Sequence, residues 1–321
     1  MLFYEEFENL MQTSVTTLRT SKKRTILFEN HQNWVENLLV ESGECPASSL
    51  FVIGKPLIVY NVEKMLLENK SIDHIMLPEG FSRTVELLQT TFPFIQIDEY
   101  KNETKSLFNS DESLRIPINS AVLRSSSTGY VIKPIVFPWD ILKITLDILE
   151  AEIKETSISK DASIADSTIL KGPCVIEEGV FIDDFNKLVG PVYVGRNSRI
   201  GTGNLVRSCV IGNDSSVGFG CEVARSILVG KNRISHHDVI LDSIVGQNTW
   251  LGAFVGTTNV LLNGESVKYK LGNIMVSTGL EHFGSVMGYN CAIGAATIIL
   301  PGRFVPPNSI LQAGTIFSKC N

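Results

Sequence analysis

The sequence predicts a doubly wound α/β domain over residues 1–154, followed by an all-β solenoid of short parallel strands over residues 155–321. Three observations support this. Strand and helix patterns alternate in the first half, which is typical of α/β domains. An aliphatic residue returns at every sixth position in the second half, a period that neither an amphipathic helix nor an ordinary strand has. Glycine follows many of these aliphatic residues directly.

The first half contains short buried strands and amphipathic helices. The predicted strands are Arg24–Glu29, Ser49–Ile53 and His74–Leu77. The predicted helices are Tyr60–Asn69, Arg83–Thr90 and Asp140–Lys154. No Pro/Gly/Ser-rich linker separates the halves, so the boundary near residue 155 is a change of period.

The six-residue period predicts a coil of three parallel strands with roughly eighteen residues per turn, whose aliphatic side chains stack inside. Glycines fit the tight turns because they carry no Cβ. The repeating positions are Ile158, Ile164, Leu170, Ile176, Ile182, Leu188, Val194, Ile200 and Val206, then Ile211, Val217, Val223 and Val229, and finally Met287, Ile293, Ile299, Val305 and Leu311.

One segment, residues 254–285, interrupts the period. It contains Asn263-Gly264, a pair typical of a tight turn between two strands. The segment is too apolar for disorder, so we expect an inserted arm that folds against a neighbouring chain.

Composition narrows the function classes. The net charge of −6 and the charged fraction of 19% give no basic surface for nucleic acid. Apolar stretches are too short for a membrane span, and the start of the chain does not resemble a secretory signal. The six cysteines form no CxxC pair, so we expect reduced structural thiols in a cytoplasmic protein.

The best candidate for a site is the polar stretch Ser235–Asp238 inside a regular coil. A histidine can take a proton from an ammonium nucleophile near neutral pH, although His236 and His237 are also compatible with surface turn residues. Neighbouring strand residues point to opposite sides, which argues against a zinc site. Lys268 fits a phosphate ligand or a solvated lysine, and Asn259 fits a sugar ligand or a turn cap.

At these residues the sequence resembles a known family, the archaeal-type bifunctional sugar-1-phosphate nucleotidylyltransferases/amino-sugar-1-phosphate N-acetyltransferases. The shared segments, in the same order, are Gly190–Gly195, His236 in its coil, Asp242–Gly246, Thr258-Asn259 and Thr278-Gly279. In the first half, Gly54–Ile58 and Tyr130–Asp140 resemble parts of the nucleotidylyltransferase domain, a reduced Rossmann-like fold.

The resemblance implies a left-handed parallel β-helix, a homotrimer, and acetyl transfer from acetyl-CoA to the amine of a hexosamine 1-phosphate, with no metal. His236 falls on the general base, Asn259 on a sugar ligand, and Lys268 and Arg207 on the phosphate site. Backbone N–H groups near Gly252 and Ala253 would bind the oxyanion.

The chain also departs from the family. Val239, Glu265 and Glu281 stand where the family has a tyrosine and basic residues, and His31–Trp34 replaces the glycine-rich loop that binds a nucleotide triphosphate. We therefore expect that nucleotidyl transfer is lost. The alternatives are a non-catalytic trimeric scaffold or regulatory subunit and, third, an active nucleotidylyltransferase.

Overall fold

The computed structural model describes residues 16–17, 25–29, 39–41, 44, 50–68, 72–101, 113–125 and 129–318. These residues form two compact units. The first comprises the described residues of 1–36, 43–50 and 55–140. The second comprises those of 37–42, 51–54 and 141–321. The predicted loop at His31–Trp34 lies outside the described residues, as do Cys45 and Cys320.

The helices and strands of the first half include the six that the sequence predicts, with shifted ends, and six strands that it does not predict. They are β1 (Thr16–Thr17), β2 (Thr25–Glu29), β3 (Phe51–Val52), β4 (Lys55–Pro56), α1 (Leu57–Glu68), β5 (His74–Pro78), α2 (Ser82–Thr91), β6 (Gln96–Tyr100), β7 (Ser113–Pro117), β8 (Ser120–Ser125), β9 (Gly129–Pro134) and α3 (Pro138–Glu152). A parallel sheet has the order β6-β5-β2-β7, and an antiparallel sheet has the order β1-β9-β8. This is the strand order of half a doubly wound fold.

The centre of this sheet is apolar because β2 has neighbours on both sides. Ile26, Leu27 and Phe28 are fully buried. A buried asparagine, Asn61 of α1, braces β8: its Nδ2 donates to the Ser120 carbonyl at 2.7 Å, and its Oδ1 accepts from the Val122 N–H at 2.9 Å. Helix and sheet are therefore joined by a satisfied polar contact as well as by packing.

The second half is a left-handed parallel β-helix with three faces of eight strands each. Face 1 consists of Ser157–Ile158, Cys174–Ile176, Val192–Val194, Val210–Ile211, Ile227–Leu228, Ile244–Val245, Ser285–Met287 and Arg303–Val305. Face 2 consists of Ser163–Ile164, Phe181–Ile182, Arg199–Ile200, Ser216–Val217, Arg233–Ile234, Trp250–Leu251, Ala292–Ile293 and Ile310–Leu311. Face 3 consists of Ile169–Lys171, Lys187–Val189, Leu205–Arg207, Glu222–Ala224, Val239–Leu241, Gly256–Thr257, Ile298–Ile299 and Ile316–Phe317.

The stacked interior confirms the aliphatic repeat except at Ile158, which is exposed in the first coil, and at Val229. Leu228, which is fully buried, belongs to the inner stack, whereas Val229 does not. Ile211 pairs with Leu228, and Leu228 pairs with Val245. Partners in the middle coils are therefore 17 positions apart, because each coil omits one residue at the turn from face 3 to face 1. A constant six-residue period misplaces the inner residue there.

The inserted arm is shorter than predicted. Gly256–Thr257 still pairs in parallel with face 3 on both sides, so the arm starts after the predicted Phe254 and ends before Ser285. Its strands, Lys268–Leu271 and Ile274–Ser277, form an antiparallel hairpin. Val267 and Tyr269 are buried within their own chain, whereas Leu262 and Met275 of the arm are exposed, so packing of the arm on a neighbouring chain stays a prediction. In the part of the chain described, no helix is long and apolar enough to cross a membrane.

Candidate functional site

Four-residue turns join face 2 to face 3, and in every turn except the first, 165–168, the third residue has a left-handed backbone. In the turn Ser235–Asp238 that residue is His237, with φ of 56°. Glycine holds the same place at Gly203 and Gly220, with φ of 71° and 68°. Left-handed backbone is tolerated best by glycine, and among the other residues asparagine, aspartate and histidine adopt it most often. The pair His236-His237 is therefore displayed by a turn whose shape the coil imposes.

His236 is exposed at the outer edge of this turn. Its Nδ1 accepts a hydrogen bond from the Phe219 N–H at 3.3 Å, and the two rings are 4.7 Å apart. Gly218 makes this position possible, since a Cβ there would lie 2.6 Å from Nδ1 and 1.6 Å from the Ser235 carbonyl oxygen. A glycine one coil below thus fixes where the imidazole can lie.

The contact with Phe219 also determines the tautomer of His236. A nitrogen that accepts a hydrogen bond carries no proton, so the neutral ring is protonated at Nε2. At 3.3 Å the bond is long for an N–H donor. Moving the proton to Nδ1 would forgo roughly 0.5–1.5 kcal/mol for this bond, a small cost for freeing Nε2 as a base.

An open pocket of about 390 Å³ lies beside the turn on face 2. Its lining consists of small and apolar residues: Ser235, Trp250, Gly252, Ala253, Ala292, Ile293, Gly294, Ala295, Ile310 and Leu311. The two predicted oxyanion donors differ. The Gly252 N–H donates to the Ile293 carbonyl at 2.8 Å and is therefore occupied, which corrects its predicted role as a donor. The Ala253 N–H has no acceptor among the described residues.

Asn259 lies in a polar network at the end of face 3. Its Nδ2 donates to Asp242 Oδ2 at 2.6 Å and approaches His282 Nδ1 at 3.3 Å. Arg225 holds the same carboxylate with Nε at 2.6 Å and Nη2 at 2.7 Å. The carboxylate of Asp242 raises the pKa of Arg225. Because the amide nitrogen of Asn259 already contacts Asp242 and His282, its oxygen is the group that remains to bind a ligand.

The predicted site residues lie at two different edges of face 3. His236 and Ala253 precede its strands, whereas Arg207 is the last residue of one strand and Asn259 follows another. The strand Val239–Leu241 lies between His236 and Asp242 and spans roughly 10 Å at about 3.3 Å per residue. Arg207 donates to Glu222, and Lys268 is exposed on the hairpin. A single chain therefore does not bring its candidate base and its candidate sugar ligands together.

Sequence reasoning missed Arg225 and His282, although a signal for Arg225 exists. Ser208, Arg225, Asp242 and Asn259 follow one another at intervals of 17, the length of one coil. His282 lies in the arm, and no interval of 17 relates it to Asn259 or Asp242. In the part of the chain that the structure describes, no group of three or more His, Cys, Asp and Glu residues could hold a metal ion.

Comparisons with known proteins agree on the β-helix region. A family model, the GMPPB C-terminal domain, matches residues 188–280. A putative uncharacterized acetyltransferase, YaiX of Escherichia coli K12, is 31% identical over 163 residues, which cover 45% of this chain and 70% of that protein. The bifunctional protein GlmU of Methanococcus vannielii is 28% identical over 57% of this chain and 43% of its own length. The GlmU protein of Methanococcus aeolicus is 25% identical over 99% of this chain and 70% of its own length.

Proposed function

Since this chain belongs to the hexapeptide acetyltransferase family that includes YaiX and the archaeal GlmU-like sugar-1-phosphate nucleotidylyltransferase/acetyltransferases, we propose that it transfers an acetyl group from acetyl-CoA to the amine of an amino-sugar 1-phosphate. The observation that carries the proposal is the apolar pocket lined by Ser235, the residue before His236, and by Ala253, whose N–H has no acceptor among the described residues. A thioester arm fits there because glycine and alanine line the turn side of the pocket.

Each residue has a defined task in this proposal. The thioester supplies the acetyl group. His236 takes the proton that the attacking amine loses when the C–N bond forms, and returns a proton to the sulfur when the C–S bond breaks. The Ala253 N–H stabilises the negative charge that develops on the carbonyl oxygen. Asn259 accepts a hydrogen bond from the sugar, while Arg207 and Lys268 bind its phosphate.

Because His236 and Asn259 lie at opposite edges of face 3, we propose that a second copy of the chain completes each site, as a homotrimer would. The outward residues of face 3 support this assembly, since Ile169, Val239 and Ile316 are exposed apolar side chains. Closed symmetry would cover such a face in every copy. We further propose that the first half has no nucleotidylyltransferase activity.

One observation favours a non-catalytic subunit instead. The amide nitrogen of Asn259 already contacts Asp242 and His282. Glu265 and Glu281 are exposed carboxylates at positions where the related family has basic residues for the phosphate. Such a subunit would keep the fold and the assembly without turnover.

The test is thiol release from acetyl-CoA with glucosamine 1-phosphate and galactosamine 1-phosphate. His236→Ala should lower kcat/KM by about 10²–10⁴-fold, the usual contribution of a general base. His237→Asn is the matched control, because asparagine tolerates the left-handed backbone at that position. Equal rates in wild type and His236→Ala would remove His236 as the base. No turnover with either sugar would favour the non-catalytic subunit. Pyrophosphate release from a nucleotide triphosphate and a sugar 1-phosphate would show that nucleotidyl transfer persists.

A further inference from the structure

The last residue of several turns between face 2 and face 3 donates a hydrogen bond to a backbone carbonyl, whereas the apolar Val255 holds this place in the turn 252–255. At Asn186, Nδ2 donates at 2.8 Å to the carbonyl of Asp183, three residues earlier. At Asn204, Nδ2 donates at 2.7 Å to the carbonyl of Gly201, again three residues earlier. Thr297 Oγ1 donates in the same way to Gly294 at 2.7 Å. The interior position therefore requires a hydrogen-bond donor wherever it is polar.

Asp238 occupies this position in the turn that carries His236. Its Oδ1 accepts the Val255 N–H at 2.7 Å, as the asparagine oxygens accept the N–H of the next coil. Its Oδ2 is buried and has no hydrogen-bond partner among the described residues. Since Oδ1 fills the oxygen position of the asparagines, Oδ2 fills the position of their amide nitrogen. The carbonyl three residues earlier is that of Ser235.

An ionised carboxylate is unfavourable there for two reasons. It is fully buried, and its Oδ2 receives no hydrogen bond from the described residues. The neighbouring groups offer no cation inside the coil. In the turns 218–221, 235–238 and 252–255 the other titratable side chains are Cys221, His236 and His237, and both histidines are exposed. Glu222 and Arg233, next to these turns, are outward-facing strand residues.

We propose that Asp238 is a neutral carboxylic acid in the folded protein and a positioning residue for the turn that carries His236. Its O–H donates to the Ser235 carbonyl, as the amides of Asn186 and Asn204 donate to theirs. Loss of this proton to solvent leaves two oxygens facing each other, loosens the turn and lowers activity. Burial supports this state, because it raises the pKa of Asp238 to about 7. The effect on activity rests on the proposed acetyl transfer, whereas the protonation does not.

Infrared spectroscopy of the full-length protein in D₂O tests the protonation directly. A protonated carboxyl has a C=O stretch above the amide band, and exposed carboxylates are largely ionised at about pH 6. Wild type should show this band at about pH 6 and lose it at about pH 8. Asp238→Asn should lack the band, and the exposed control Asp161→Asn should keep it. A wild-type spectrum without the band at the lower pH would overturn the proposal.

The asparagine variant then separates positioning from other roles. Asparagine restores the donor found at Asn186 and Asn204, so the Asp238→Asn protein should unfold at the same temperature at both pH values, while wild type unfolds at a lower temperature at the higher pH. Its kcat should also lose the decline that wild type shows above about pH 7. If the variant is less stable than wild type at the higher pH, or loses activity at both, the carboxyl is not replaceable by a donor amide and the proposal fails. A protein without acetyl transfer would still answer the question through the spectrum and the unfolding temperature.

Discussion

Asp242→Asn tests whether one buried carboxylate holds the candidate sugar ligand Asn259. Asp242 is almost fully buried and accepts three short hydrogen bonds, two from Arg225 and one from Asn259. An amide offers one oxygen, and its NH₂ group would face an N–H donor. At least one hydrogen bond to a charged group is lost, which is worth roughly 1.5–3 kcal/mol. Arg225 is about a third exposed, so solvent screening reduces the expected loss to about 2 kcal/mol.

Urea unfolding measures this loss, and Glu178→Gln is the matched control. Glu178 Oε1 lies 3.6 Å from Arg196 Nε, and both side chains are more than half exposed. The control should therefore change the free energy of unfolding by less than about 0.5 kcal/mol. In acetyl transfer, Asp242→Asn should raise the KM of the sugar about fivefold, since roughly 1 kcal/mol of orientation is lost. The KM of acetyl-CoA should not change, because its pocket lies at the other edge. Equal unfolding free energies for the two variants would refute the anchoring role of Asp242.

Three further predictions concern the coil itself. Gly218→Ala should destabilise the protein by about 1–3 kcal/mol in thermal unfolding and lower its activity in kinetic assays, because the added Cβ would overlap the Ser235 carbonyl. Gly256→Ala is the control and should have a mild effect, because its Cβ would meet only the flexible end of Ile298. Leu228→Ala should lower the free energy of unfolding by about 2–5 kcal/mol, and Val229→Ala should lower it clearly less. A larger loss for Val229→Ala would show that Val229 is the inner residue, as a constant six-residue period predicts. In the native protein, iodoacetamide should leave the four buried thiols unmodified, which are those of Cys174, Cys209, Cys221 and Cys291. Burial also raises the pKa of Cys174 and Cys221 to about 11, so little reactive thiolate is present. Rapid labelling before unfolding would contradict this prediction.

The fold could be predicted from the sequence because its physical cause is local and repeated. An aliphatic side chain at each inner position gives the same signal many times, so a single error such as Val229 for Leu228 does not change the architecture. The arm was predicted less well, because Gly256–Thr257 looks irregular in sequence and is recognised as a strand only through its partners on both sides. Pairing across coils is a long-range property that a local pattern does not contain.

The site depends on the same long-range property, and this explains which of its residues were found. His236 and Asn259 are visible because each interrupts an apolar pattern, but the residues that hold them are not neighbours in sequence. Phe219 and Ala253 lie 17 positions before and after His236, and Asp242 lies 17 positions before Asn259. Phe219 and Asp242 contact His236 and Asn259 directly. Once the coil length in this region is known to be 17 residues, the residues that contact a candidate residue can be sought 17 positions before and after it. The donor that Asp238 must supply follows from the same comparison, because Asn186 and Asn204 show what its position requires.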